Sequence, residues 1–150
     1  MGVQGCVETT RTEAQSAPFT PRRVVCSPVT HEHHDPAEDL ARWRAFRAEM
    51  NERILGSGHL GMKRFFALDD QAYHDGALDA RTKELLGLVA SLVLRCDDCV
   101  TYHIERCVEL EVTREQAIEA MNVGLVVGGS IVIPHLRRAF ATLDALLTAE

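Results

Sequence analysis

The chain has 150 residues, 46% apolar and 25% charged, a balance that fits one globular domain with enough residues for a real core. A formal charge of -6, with 16 basic residues scattered along the chain, excludes the basic stripe of a nucleic-acid binder. The longest apolar runs, residues 85–94 and 123–134, fall short of the ~20 residues that cross a bilayer, so no membrane span is expected.

Residues 1–34 are rich in Thr, Ser, Pro and small polar residues, show neither the 3.6 nor the 2 period, and are expected to form a disordered tail. Met1-Gly2 lacks the Ser or Thr that myristoylation wants, because Cys6 stands there. His31, His33 and His34 read as a solvated linker rather than a metal site. This end lacks the apolar stretch of a secretory signal, and five cysteines is an odd count for a disulfide framework; a cytoplasmic protein is expected.

From Asp35 onward the pattern turns helical, and residues 35–150 are expected to form one domain. Asp35 can cap, Pro36 suits the first helical position and Glu38 stands three residues after the cap. Leu40, Trp43, Phe46, Met50 and Ile54 then mark one apolar stripe, which Gly56 and Gly58 stop. Leu60 to Tyr73, with Phe65, Phe66 and Leu68, predicts one or two short helices. Asp79 caps a third, which Leu85, Leu88, Val89, Leu92 and Val93 make apolar on more than one face, so it should be the most buried. Cys96 to Leu110 follows, with Val100, Ile104 and Val108 directed inward. Thr113 and Gln116 form a capping box for a helix holding Ala117, Ile118, Met121 and Leu125, interrupted at Gly128-Gly129. Leu136, Phe140, Leu143 and Leu147 stripe a last helix begun near Pro134. No run reads as a strand, so the expected class is all-α, with about six helices and no repeat.

The chemistry concentrates in E-x11-C-x2-C-x3-H, formed by Glu84, Cys96, Cys99 and His103. Two cysteines at this spacing can close a disulfide on each other, and a cysteine in a helical first turn has its thiolate favoured by free amide groups and the helix dipole. Asp97 and Asp98 pull the other way, so a local base matters here. His103 lies four residues after Cys99, one turn along the same face, where it can take the thiol proton. Glu84 is either a first-turn acid favoured by the dipole or a carboxylate turned toward the site. Cys107 shares the face, yet Cys96 and Cys107 would stand ~16 Å apart along an unbroken helix. Four zinc ligands would therefore require that helix to break, while Val100, Ile104 and Val108 keep its period. Cys107 reads as a small core residue.

The segment Lys83-Glu84-Leu85-Leu86, nine residues, then Cys96-Asp97-Asp98-Cys99-Val100-Thr101-Tyr102-His103, followed by a capped helix and Gly128-Gly129, resembles the carboxymuconolactone decarboxylase superfamily, in particular its alkylhydroperoxidase D-like branch. The likeness covers about residues 60–146. It implies an all-α helical bundle that assembles as trimers or hexamers. It also implies a redox pair at Cys99 and Cys96, Cys99 attacking the peroxide and Cys96 resolving, with Glu84 and His103 as proton relay. The implied substrate is a small hydroperoxide and the implied reductant a dithiol or lipoyl-bearing protein, with no bound cofactor. Well-known members carry a histidine just before the second cysteine, where this chain has Asp98. Two other readings stand beside the peroxidase. One is a lyase acting on a small carboxylated lactone, which in this family generally does without paired cysteines; the other is a redox-sensing oligomeric module.

Overall fold

A computed structural model describes residues 35–148; the expectations for residues 1–34, the tail, the histidine cluster and the Met1-Gly2 terminus, lie outside this range. The described residues are all-α. Six α-helices follow in order, α1 (Pro36–Gly56), α2 (Leu60–Ala72), α3 (Ala80–Leu94), α4 (Asp97–Glu109), α5 (Arg114–Gly128) and α6 (Ile133–Thr148), with a short 3-10 turn at Ser130–Val132. No described helix is long and apolar enough to cross a membrane.

Local signals set most boundaries. Asp35 accepts from the Ala37 amide with Pro36 behind it, Asp79 accepts from Thr82, and Thr113 and Gln116 close a reciprocal capping box. Glu38 adds first-turn charge to α1 without closing a box of its own. At the far end of α5, Gly129 sits at φ 75, the left-handed region that glycine enters freely, and the chain turns there toward α6.

The core lies between α3, α4, α5 and α6. Leu88 and Leu92 of α3, Ile104 of α4, Met121 of α5 and Leu143 of α6 are almost wholly removed from water, each burial worth ~1.5–3 kcal/mol. As expected, α3 carries the most buried positions. Helices α3 and α4 form an antiparallel hairpin, locked where the Arg81 guanidinium donates twice to the Leu110 carbonyl at 3.0 and 2.8 Å. Gly124 lets α5 close against Leu92, where an added Cβ would meet the Leu92 side chain at 3.3 Å.

The first helix departs from the expected pattern. Of the α1 stripe only Leu40 is buried; Trp43 and Met50 are half-buried, and Phe46 and Ile54 are exposed. In α2 no residue is buried, and Phe65 and Leu68 stand in solvent. The reason is length against cover: at 1.5 Å per residue α1 runs ~31 Å, further than α4 or α6 can shield from one side. Leu60 to Ala72 forms one helix, within the expectation of one or two.

Candidate functional site

Helix α3 ends at Arg95, which takes the left-handed conformation at φ 60 and ψ 38 and turns the chain into the cysteine motif. Cys96 is the N-cap of α4, its sulfur accepting from the Cys99 amide at 3.3 Å, and Cys99 occupies the first turn. The two are joined as a disulfide with their Cα atoms 5.3 Å apart. Helix initiation and the cysteine pair are thus one piece of structure: the cap that starts α4 is itself half of the disulfide.

One turn further on, His103 is buried, and its Nδ1 lies 2.7 Å from Glu84 Oε2. Glu84 is 1% exposed, so it is the inward-turned carboxylate and not a solvated first-turn acid. A buried carboxylate needs partners. Besides the imidazole it has Arg106, whose Nε lies 3.7 Å from Oε1 and whose guanidinium also holds Glu109. With Glu84 ionised, Nδ1 carries the hydrogen of the shared bond, which leaves the Nε2 lone pair as the ring's basic position.

The imidazole is packed as well as bonded. Tyr73 and Tyr102 place their rings 5.3 Å from it, tilted and edge-on respectively. Both phenols are pushed above their ordinary pKa, first by burial and next by the Glu84 charge, so they stay protonated at neutral pH. On the α3 side the ring lies against Gly87, where an added Cβ would be 2.5 Å from His103 Cε1 and 2.7 Å from Nδ1. Only a residue without a side chain leaves room for the ring there.

The two aspartates between the cysteines differ in their partners. Asp97 receives His135 Nδ1 at 2.7 Å and the Arg138 guanidinium at 3.0 Å, both from α6, so its charge is balanced. Asp98 accepts from the Trp43 indole at 3.2 Å, which ties α1 to the motif. Asp97 is thus opposed by a cation, whereas Asp98 has a neutral donor and keeps its charge beside the cysteines. Cys107 is 1% exposed among core residues, and burial, with the Glu84 charge adding, pushes its thiol up to about 12, which suits a core residue and not a nucleophile.

Cys99 and His103 open on one cavity of about 340 Å³, whose wall includes Trp43, Phe46, Tyr73 and Tyr102. All four residues singled out from the motif therefore gather in one region: a disulfide, a cavity-facing imidazole and a buried carboxylate behind it. Spacing did not point to Trp43, Arg47, Tyr73, Arg106 or Gly87. The first three lie well before the motif in sequence, whereas Gly87, three residues after the acid in an apolar helix, carried a readable signal.

Comparison with known proteins bears on this arrangement. The model of the carboxymuconolactone decarboxylase family matches residues 60–142. An uncharacterized protein of Cupriavidus necator is 33% identical over 85 residues, 57% of this chain and 75% of the relative. A carboxymuconolactone decarboxylase family protein of Thermotoga maritima, for which an antioxidative role has been suggested, superposes with a TM-score of 0.69 at 53% identity, over 71% of this chain and 91% of that one. A family member from Legionella pneumophila superposes with a TM-score of 0.59 at 26% identity, over 77% and 97% of the two chains.

Proposed function

Because this chain belongs to the carboxymuconolactone decarboxylase family, we propose that it is a thiol-dependent peroxidase of the alkylhydroperoxidase type, working through the Cys96–Cys99 pair. The observation that carries the reading is the shared cavity: Cys99, one half of a disulfide, opens beside an imidazole held by a buried carboxylate. The antioxidative role suggested for the Thermotoga maritima relative points the same way.

In the reduced protein His103 takes the Cys99 proton at Nε2, directly or through water, and Glu84 steadies the imidazolium through Nδ1–H. The Cys99 thiolate attacks the terminal oxygen of a hydroperoxide; the O–O bond breaks, the alkoxide leaves and takes the proton back as alcohol, and Cys99 becomes a sulfenic acid. The Cys96 thiol then condenses with it, forming the S–S bond and releasing water. One hydroperoxide is reduced for two thiols oxidised. An external dithiol, of which a lipoyl-bearing protein is one, restores the pair by exchange and leaves as its own disulfide. Protein atoms suffice for these steps, in a cytoplasmic homotrimer or hexamer.

The test is an anaerobic thiol titration of the reduced protein before and after one equivalent of cumene hydroperoxide. Loss of two thiols per chain, with no crosslink between chains, is expected. An unchanged thiol count would overturn the peroxidase reading and return the lyase to consideration, and a crosslink between chains would favour the redox-sensing module.

A further inference from the structure

Arg47 of α1 lines the same cavity as Cys99 and His103, and its surroundings are unusual for an exposed arginine. Its Cζ lies 4.3 Å from the centre of the Tyr102 ring and 5.7 Å from that of Trp43. Other arginines of α1 pair with acids: Arg42 with Asp39, Arg44 with Glu105 and Arg53 with Glu49. Arg47 forms no such pair among the described residues, and aromatic rings take the place of a carboxylate. A guanidinium set over aromatic rings rather than against a carboxylate keeps N–H donors available for a planar anion.

We propose that this cavity selects a hydroperoxide that also carries an anionic group, a carboxylate above all, with Arg47 as its counter-ion and specificity-determining residue. The proposal rests on the peroxidase reading for the reactive end of the ligand. The remaining wall fits the rest of such a molecule: Trp43, Phe46, Met50 and Tyr73 offer apolar and aromatic surface to the body between the two ends. Two carboxylates also line the cavity. Asp98, which accepts from the neutral Trp43 indole, and Asp69 of α2 both keep their charges and oppose an anion, so the preference rests on direct contact of the anion with the Arg47 N–H edge.

Binding and turnover separate the two claims. Isothermal titration of the oxidised protein with 4-isopropylbenzoate and with its methyl ester measures recognition of the anion with no peroxide present. The acid should bind about tenfold more tightly than the ester, the scale of one charge-assisted contact. Arg47→Met should bring that ratio to about one, Arg47→Lys should keep part of it, and Asp69→Asn should raise it. Equal binding of acid and ester by the natural chain, or a ratio that Arg47→Met leaves unchanged, overturns the proposal. The matched hydroperoxides, cumene hydroperoxide bearing a para-carboxylate and its methyl ester, then give the turnover ratio, which should follow the binding ratio in each variant. If neither consumes thiols while the binding preference holds, the peroxidase reading fails and the Arg47 anion site stands.

Discussion

The imidazole of His103 is held from three sides: by the Glu84 carboxylate, by the two tyrosine rings, and by the bare backbone of Gly87. Each hold has its own test. In a Cys96→Ser background, His103→Gln and Glu84→Gln are each expected to slow iodoacetamide alkylation of Cys99 at neutral pH about tenfold, the effect of one pKa unit on the thiolate. Gly87→Ala should slow it comparably while leaving both relay residues in place. Alanine in a helix ordinarily gains about 1 kcal/mol over glycine, but here the methyl must push a bonded, buried ring, so a net loss of about 1 kcal/mol in urea unfolding is expected. Unchanged alkylation in all three variants would remove the relay from the mechanism. Cys107 gives a pH test of the opposite kind. Its thiol is raised from 9.0 to about 12 in the folded chain, so it resists an ionisation that the unfolded chain accepts. The stability this contributes is fully present below pH 9 and declines by about 1.4 kcal/mol per pH unit as pH climbs from there toward the folded value. Urea titrations on either side of pH 9 should therefore decline less steeply for Cys107→Ala than for the natural chain, and equal slopes would contradict the buried-thiol account.

At the scale of elements, the caps and the helical periods are legible in the sequence, because each rests on residues within four positions of one another. Asp79, Thr113 with Gln116, and Gly128-Gly129 stand where the helices begin and end. Non-local matters are not legible there. That Asp97 is neutralised from α6, and that Trp43 reaches across to Asp98, depends on helices dozens of residues apart. The inward turn of Glu84 depends likewise on α4 packing against α3. The α1 stripe misleads for a related reason: periodicity reports which face is apolar, not whether anything covers it. The tie between α6 and the cysteine motif carries its own prediction. Arg138→Gln should leave stability within about 0.5 kcal/mol, since the pair is exposed. It should nevertheless slow alkylation of the reduced pair about two- to fivefold by freeing the Asp97 charge beside the thiols, a Coulombic effect of at most ~1 kcal/mol. No change in alkylation would mean that Asp97 does not bear on the thiols.

Taken as a whole molecule, the bundle leaves much apolar surface uncovered. Leu94, Val123, Val126 and Val127 are exposed toward the ends of α3 and α5, where the Gly128 backbone approaches that of Val93, and Phe46, Phe65 and Leu68 are exposed on α1 and α2. So many large apolar residues in solvent are unusual for a monomer, and further copies of the chain, in a trimer or hexamer, are the proposed cover. Sedimentation equilibrium at micromolar concentration should give the mass of a trimer or hexamer, and Val126→Glu should shift it downward; a monomer in both cases would contradict this. The central claim still rests on two sulfur atoms. Treating reduced Cys96→Ser with cumene hydroperoxide in the presence of dimedone, followed by peptide mass spectrometry, asks directly which sulfur meets the peroxide. The account predicts a single dimedone adduct on Cys99; an unmodified Cys99, or an adduct carried by another cysteine instead, would contradict it.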